Sequence, residues 1–244
     1  MKSILLLSLL FISACATSSD KKSDGYAGLG KESVSATTLQ KYAPPTLDRR
    51  LSEKIARMLD MQSPGMGILT PSNDQLFFTW KVSGTHQVWT IKGPQKFPVQ
   101  MTTGTDPVTI LQVTPDGKYL LLSIDRDGQE NPGIFRQSTA GGEVEKLFQK
   151  EKVQARAQGL SPDGKYLIFT ANDVKADQYT IYRMNLTDKS IEMIFNEPGL
   201  WSVGDIDWFN QVLLLEKMTG STSSEWSTYD LKTKKLTPVV GQGE

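Results

Sequence analysis

The stretch TPDGKYLLL at residues 114–122 recurs as SPDGKYLIF at residues 161–169, and these two copies define a sequence repeat. A less regular copy, TPSNDQLFF, lies upstream at residues 70–78, and a fourth, DWFNQVLLL, lies downstream at residues 207–215. The equivalent leucines, which are spaced by 44, 47 and 46 residues, are Leu76, Leu120, Leu167 and Leu213. A repeat of this length, with a turn and an apolar strand in each unit, indicates stacked supersecondary units.

The residues of the repeat are those that a tight turn followed by a buried strand requires. Pro presets φ near about −65°, Asp accepts hydrogen bonds from the backbone ahead of it, and Gly adopts the left-handed conformation that closes the turn. The apolar run after the turn, as at residues 119–122, does not alternate with polar residues. We therefore expect both faces of this strand to be buried, as in the interior of a sheet packed on both sides.

Each unit contains three further strand patterns. In the third unit they include residues 179–184 and residues 190–195, joined by a polar turn at residues 187–189, and in the second unit a strand at residues 108–113 precedes the turn. Four strands per unit predict an all-β fold, a β-propeller. A β-sandwich with similar hairpins is the alternative, but it does not explain two near-identical copies at this spacing. The predicted blades are residues 63–102, 103–149, 150–196 and 197–244.

The N-terminus has the layout of an export signal. Lys2 precedes an apolar stretch at residues 4–12, and small residues then lead to Cys15. Residues 1–14 are therefore predicted to be a signal peptide. The small residues before Cys15 resemble the lipobox of bacterial lipoproteins, which implies cleavage before Cys15 and its acylation, with an incidental cysteine as the alternative. By the same resemblance, Ala16 favours the outer membrane, facing the periplasm, over the inner membrane.

A tether and a helix are predicted between the lipidation site and the propeller. Residues 15–45 are rich in Ser, Thr, Lys, Gly and Ala and predict a flexible tether. Residues 46–62 predict an amphipathic helix with Thr46 as its N-cap. Its apolar stripe is formed by Leu47, Leu51, Ile55 and Leu59. We expect this stripe to pack on the edge of the propeller, with docking on a partner as the alternative.

Composition narrows the classes of partner. The chain has 27 basic and 27 acidic residues, whereas a nucleic-acid-binding protein carries a basic excess, so no nucleic-acid partner is predicted. Cys15 is the only cysteine, so its lipidation leaves no thiol for a disulfide or a metal site. The partners predicted instead are a membrane, through the lipid on Cys15, and a peptide or protein on the propeller face.

The repeat resembles two known groups over about residues 66–240. A Ser/Thr-Pro-Asp-Gly-Lys-Tyr-Leu turn followed by a strand with Ile181 and Tyr182 is similar to the propeller of prolyl oligopeptidase-family serine peptidases and to the periplasmic propeller of the Tol system. The loop DRDGQEN at residues 125–131 resembles an insertion of the peptidase propellers. The peptidase resemblance, which is our preferred interpretation on the sequence, implies a non-catalytic domain that gates peptide access to a separate hydrolase domain. The Tol resemblance implies, as the alternative, a protein-binding scaffold of the cell envelope.

Catalytic chemistry is not recognisable in the sequence, so whether the protein is an enzyme stays open. No Gly-x-Ser-x-Gly elbow is present, and the single histidine, His86, has no evident catalytic partners, although a hydrolase with an unrecognised site is a further hypothesis. We assign no catalytic, cofactor-binding or metal-binding residue.

The acidic loop with Asp125, Asp127 and Glu130 lacks the spacing of a calcium loop and predicts a solvated connection. Asp205 and Asp207 beside two tryptophans could line a funnel, but a strand with an aromatic core is the preferred interpretation.

The number of visible repeats raises a question of completeness. The peptidase propellers that the chain resembles have seven or eight blades, whereas four are visible in this sequence. A closed four-bladed ring is one interpretation. The other, which we prefer on the sequence, is that these blades are part of a larger ring and that the chain is a truncated or split form of a longer protein.

Overall fold

The strands of the protein form four separate sheets, each of four antiparallel strands. The computed structural model describes residues 34–243. In every sheet the strands follow one another in sequence order, so each sheet is a simple meander of four strands. The predicted all-β architecture of four propeller blades is confirmed.

The strands of the four blades have the following bounds. Blade 1 consists of β1 (Gly67–Leu69), β2 (Leu76–Trp80), β3 (Gln87–Ile91) and β4 (Val99–Gln100). Blade 2 consists of β5 (Val108–Val113), β6 (Tyr119–Ile124), β7 (Gly133–Ser138) and β8 (Glu145–Phe148). Blade 3 consists of β9 (Ala155–Leu160), β10 (Tyr166–Lys175), β11 (Gln178–Asn185) and β12 (Ile191–Phe195). Blade 4 consists of β13 (Leu200–Asp207), β14 (Val212–Met218), β15 (Ser224–Asp230) and β16 (Lys235–Val240).

The second strands of the two middle blades, β6 and β10, each contribute to two hydrophobic cores at once. In β6, Leu120 and Leu122 pack in a core with Phe77 of blade 1, whereas Leu121 between them packs in a different core with Phe169 of blade 3. Successive side chains of a strand point to opposite faces of the sheet, so one strand can pack against both neighbouring blades. We call the face toward the preceding blade the backward face and the face toward the next blade the forward face. The prediction that this strand is buried on both sides is confirmed.

Three cores hold the blades together. The core between blades 1 and 2 contains Phe77, Val88, Val108, Val113, Leu120 and Leu122. The core between blades 2 and 3 is the largest, and Phe148, Phe169 and Tyr182 form an aromatic group within it. The core between blades 3 and 4 joins Ile168, Ile181 and Phe195 to Trp201, Leu213, Leu215 and Tyr229. Each core therefore contains residues of two consecutive blades, so the stability of a blade depends on the blade packed against it.

The turn before each second strand is closed by its own side chains. In blade 2, Thr114 Oγ1 donates to Asp116 Oδ1 at 2.6 Å and accepts from the Tyr119 amide at 3.0 Å. Asp116 Oδ1 also accepts from the Lys118 amide at 3.1 Å, which confirms the predicted role of the aspartate. Blade 3 repeats this arrangement with Ser161 and Asp163.

Consecutive turns also touch one another. Gly164 has φ +72°, and a Cβ placed on it would lie 3.3 Å from Cδ of Pro115 in the preceding turn. Gly117, also at φ +72°, has the same relation to Pro71, at 3.6 Å. The proline of one turn thus lies against the glycine of the next, so the glycine serves both the left-handed conformation and the close approach.

We expect Gly164→Ala to lower the free energy of unfolding by more than Gly128→Ala does. Both glycines have positive φ, but a Cβ at Gly128 would meet nothing within 4 Å. The left-handed conformation should cost each variant about 1–2 kcal/mol, and the contact with Pro115 should add to this in Gly164→Ala alone. Urea denaturation followed by circular dichroism gives both values. Equal losses would contradict a role for the contact between turns.

The turns should also make the protein sensitive to acid. The hydrogen bond from the Ser161 hydroxyl holds the pKa of Asp163 below its ordinary value, and that from Thr114 does the same for the pKa of Asp116. Because these pKa values are lower in the folded state, the stabilisation is present above the unfolded pKa of about 3.9 and is lost as pH falls through the folded pKa. We expect Asp163→Asn to lower stability at pH 7 and to make its decline between about pH 5 and pH 2 shallower. Urea midpoints across this range measure the effect, and an unchanged slope would contradict it.

The segment before the blades contains two helices. Helix α1 (Ala36–Lys41) begins after Ser35, whose Oγ accepts from the Thr38 amide at 3.1 Å, so the predicted tether includes a short helix. Helix α2 (Arg49–Leu59) lies within the range predicted to be helical. Its N-cap is Asp48 and not Thr46 as predicted, because Asp48 Oδ1 accepts from the amides of residues 50 and 51 at 2.9 and 3.1 Å.

The apolar stripe of α2 is not buried. No residue of α2 is buried, and Leu51 and Ile55 are exposed. Packing of the stripe on the propeller edge therefore stays a prediction. The signal peptide, Cys15 and the first part of the tether lie outside the described residues. Within residues 34–243, no helix has both the length and the apolar character needed to cross a membrane.

Candidate functional site

His86 and the acidic loop, which the sequence offered as candidates for chemistry, lie in connections between strands. His86 is exposed in the connection before β3, and its carbonyl accepts from the Val108 amide at 2.8 Å. Asp125 accepts from the amides of Glu130 and Asn131 at 3.0 and 2.8 Å, so its carboxylate orders the loop. No group of three or more His, Cys, Asp or Glu side chains suited to a metal ion occurs within the described part of the chain.

The aspartates of blade 4 also serve the backbone. Asp207 Oδ1 accepts from the amides of Phe209 and Asn210 at 3.0 and 2.9 Å and so caps the turn between β13 and β14. Trp201 is buried in the core between blades 3 and 4, and Trp208 packs against that core. This agrees with the interpretation of a blade strand with an aromatic core.

A groove lies between blades 3 and 4 and has a volume of about 610 Å³. One side is the end of β12 and the connection to blade 4, residues 193–198, and the other is formed by β15 and β16. We call it the blade 3–4 groove. Its size lies within the range of clefts that bind small ligands or parts of a peptide.

Three aromatic side chains form the wall of the groove. Phe195 contacts Trp201 and Tyr229 edge-on, with ring centroids 4.9 and 5.0 Å apart. Tyr229 donates a hydrogen bond of 2.9 Å to the Ile194 carbonyl across the two blades, and burial raises the pKa of its hydroxyl. The aromatic wall is therefore fixed by packing and by a hydrogen bond, which makes the groove a preformed feature.

The groove carries charges of both signs. Lys217 and Glu225 lie on paired positions of β14 and β15, and Glu197 and Lys234 complete the set of charged lining residues. The Lys217 ammonium lies over the Trp201 ring, 5.5 Å from its centroid. An apolar wall with two cations and two carboxylates suits a ligand that combines apolar side chains with charges of both signs, as a peptide does.

One boundary of the groove is an edge strand. β12 is the last strand of its sheet and has no strand partner on its outer side among residues 34–243. Met193 in β12 lines the groove and is 46% exposed. Unpaired backbone groups of an edge strand can accept an additional strand from another chain.

Other cavities between the blades are smaller. A cavity of about 450 Å³ between blades 1 and 2 is bounded by the exposed Phe97 and by Met101, and a cavity of about 250 Å³ between blades 3 and 4 includes Arg156, Tyr179 and Glu216. In the smaller cavity, the Arg156 guanidinium lies over the Tyr179 ring at 5.4 Å. Neither combines the volume, the aromatic wall and the free strand edge of the blade 3–4 groove.

Comparison with solved structures places the fold in a known group. The TolB-type protein of Agrobacterium tumefaciens superimposes with a TM-score of 0.51 at 18% sequence identity, covering 70% of this chain and 62% of that protein. TolB of Acinetobacter baumannii superimposes with a TM-score of 0.50 at 18% identity, covering 75% of this chain and 44% of that protein. The chain thus spans less than two thirds of either structure. No protein-family profile and no curated protein matches the sequence.

At this level of identity the comparison shows the fold alone. The blades have the TolB-type propeller architecture, which supports the Tol side of the predicted resemblance. Neither of the two structures is a peptidase, so the resemblance to prolyl oligopeptidase propellers stays a prediction from the sequence.

We expect Tyr229→Phe to lower the free energy of unfolding by about 1–2 kcal/mol, because the buried Ile194 carbonyl loses its hydrogen bond across the blades. Tyr179→Phe is a matched control: Tyr179 donates to Gln154 at 2.7 Å within blade 3, and the bond is only partly buried. Urea denaturation should show the smaller loss in the control. A Tyr229→Phe variant as stable as the parent would contradict the role of this bond at the groove.

Proposed function

We propose that the protein is a cell-envelope β-propeller that binds an extended peptide segment of a partner protein in the blade 3–4 groove. The observation that carries the proposal is the groove itself, with an aromatic wall beside a free strand edge. Backbone hydrogen bonds to β12 would supply affinity, and the apolar wall and the charged rim would select side chains. The TolB-type fold of the blades supports the placement in the cell envelope.

The lipid anchor is a second part of the proposal. Acylation of Cys15 after export would hold the protein on the membrane, because several acyl chains on one residue give stable anchoring. The tether up to residue 45 would then set the distance of the blades from the membrane surface. The membrane proposed is the outer membrane, with the propeller in the periplasm.

A photo-crosslinking residue placed at Lys234, in the groove, should give a discrete adduct with a partner protein in intact cells of the source bacterium. The same residue at Lys118, an exposed turn position of blade 2, should not. Met193→Glu in the Lys234 variant should reduce the adduct at least several-fold, because a carboxylate would replace an apolar lining residue that is already exposed. Equal adducts at both positions, or an adduct unaffected by Met193→Glu, would refute the groove as the binding site.

The alternative is that the protein is the gating domain of a serine peptidase. Its support from the sequence is the resemblance of the loop at residues 125–131 to an insertion of the peptidase propellers. Among the residues of that loop, Asp127 and Gly128 donate their amides to the Asp106 carboxylate at 3.1 and 3.0 Å, so the loop is ordered by the connection that precedes β5. A coding sequence for a Gly-x-Ser-x-Gly elbow in frame beyond Glu244 would favour this alternative. Covalent labelling of the purified chain by a fluorophosphonate would instead indicate a nucleophile within the chain itself.

A further inference from the structure

Charged side chains form a latch between blades 2 and 3. Arg136 in β7 pairs with Glu145 in β8, and Lys189, from the turn between β11 and β12 of blade 3, pairs with the same carboxylate. Arg136 Nη1 also donates to the Leu186 carbonyl of that turn at 2.8 Å. Arg136 is opposite Leu121 in register and so lies on the forward face of blade 2, where it reaches the next blade. An arginine and a glutamate of one blade thus hold the turn of the next.

The latch is repeated between blades 3 and 4. Arg183 Nη2 lies 2.6 Å from Glu192 Oε2, and Lys234 Nζ, from the corresponding turn of blade 4, lies 4.0 Å from Glu192 Oε1. Arg183 is opposite Glu192 in register as Arg136 is opposite Glu145. The same three residue types therefore occupy equivalent positions at two successive junctions.

All three latch residues are replaced between blades 1 and 2. Thr90 is opposite Val99, and these two residues have the positions of the arginine and the glutamate. Gly142 has the position of the lysine, because Thr139 and Leu186, three residues before the glycine and the lysine, donate equivalent amide hydrogen bonds of 2.9 and 2.8 Å. This junction has thus lost three long side chains and the charges that they carry.

A cavity of about 450 Å³ lies where the latch is missing. Thr90, Val99 and Gly142 all line it, and we call it the blade 1–2 cavity. A Cβ placed on Gly142 would meet nothing within 4 Å, so the space beside the glycine is open. The three small replacements therefore account for the cavity, whose volume is in the range of small-molecule sites.

Hydrogen bonds across the junction fix the walls of the cavity. Gln75 Nε2 of blade 1 donates to the Thr139 carbonyl of blade 2 at 3.0 Å. In the other direction, Gln137 Nε2 of blade 2 donates to the carbonyls of Met101 and Gly142 at 2.9 and 2.7 Å. Both glutamines are buried. The cavity is therefore preformed and does not depend on a ligand for its shape.

The lining of the cavity combines apolar surface with positive charge. Phe97, Val99 and Met101 supply the apolar part, and the Phe97 ring is 92% exposed at the rim. Lys92 and Lys96 are the charged lining residues, and no aspartate or glutamate of residues 34–243 lines the cavity. The lining therefore suits a ligand that is apolar at one end and negatively charged at the other.

The two lysines differ in their surroundings. Hydrogen bonds from the hydroxyls of Ser72 and Thr70 lower the pKa of Asp74, and the Lys92 ammonium lowers it further, so Lys92 already has a carboxylate nearby. Lys96 has no ion-pair partner among residues 34–243. Lys96 is therefore the cation that is available to a ligand.

We propose that the blade 1–2 cavity binds a small amphiphilic anion, namely an apolar chain that ends in a carboxylate. The chain would lie against Phe97, Val99 and Met101, and the carboxylate would be bound chiefly by Lys96. Burial of the exposed Phe97 ring under the chain removes apolar surface from water, which favours binding. The site is separate from the blade 3–4 groove and does not depend on the function proposed for it.

Isothermal titration calorimetry with decanoate tests the proposal on the full chain with Cys15→Ser, so that no attached lipid competes for the cavity. We expect one decanoate per chain, and decylamine, with the same chain length and a positive charge, should bind at least about tenfold more weakly. Lys96→Ala should weaken decanoate binding about three- to fivefold, whereas Lys146→Ala, at an exposed lysine of β8, should not. No binding of decanoate, or equal affinity for decylamine, would overturn the proposal.

Rebuilding the latch gives a second test. A chain with Thr90→Arg, Val99→Glu and Gly142→Lys carries the residues that join blades 2 and 3, and their side chains should occupy the cavity. It should fold, by circular dichroism, and lose decanoate binding. Val99→Glu alone is the milder variant, because it adds a carboxylate beside the ligand at a position that is 61% exposed, and it should also weaken binding. Unchanged affinity in Val99→Glu, or in the folded triple variant, would contradict the proposed site.

An acetylated tripeptide with a C-terminal leucine distinguishes a free amphiphile from the end of a partner protein. It should bind more weakly than decanoate, because the side-chain amides of Gln75 and Gln100 in the lining already donate within the protein and are not free for the peptide backbone. A complex with the tripeptide that is tighter than that with decanoate, and that Lys96→Ala weakens, would show that the cavity binds a chain terminus and would overturn the proposed ligand.

Discussion

The structure depends on one constraint, namely that the second strand of each blade needs an apolar partner on both of its faces. In β6 the neighbouring residues Leu120 and Leu121 belong to two different cores, and each is at most 1% exposed. An isolated four-stranded sheet would leave one or both faces in water, so a single blade has no stable core of its own. The order of the blades, the contacts between turns and the position of the groove all follow from this packing.

Local features of the sequence predicted most of this architecture. Residues 114–122 combine a turn whose side chains satisfy its own backbone with a strand that has no polar face, so the pattern identifies a blade wherever it recurs. The less regular copy at residues 207–215 has Asp207 at the position of Thr114 and Ser161, and its carboxylate accepts from the Phe209 and Asn210 amides of the same turn. The N-cap of α2 was misplaced because Thr46 and Asp48 are both good caps, and only the backbone decides which side chain reaches the first amides.

The groove was not predictable in the same way, since it depends on residues that are distant in sequence. Phe195 is the last residue of β12 in blade 3, and Tyr229 lies in β15, the third strand of blade 4. Their side chains meet only when the two blades are packed together. The sequence pattern predicts that each is an apolar strand residue and nothing more. The charged rim has the same origin, because Glu197 and Lys234 belong to connections whose paths are set by tertiary packing.

The meander of each blade also separates its connections into two groups. The Pro-Asp-Gly turns and the turns between third and fourth strands lie at one end, where the Thr139 hydroxyl donates to the Gly117 carbonyl at 2.8 Å. The hairpins between second and third strands lie at the opposite end, and that of blade 3 extends to the pair Lys175 and Gln178. Because the turn end is constrained from blade to blade, inserted residues are best tolerated at the hairpin end. New specificity can therefore evolve there by lengthening a hairpin, while the cores and the spacing of the blades stay unchanged.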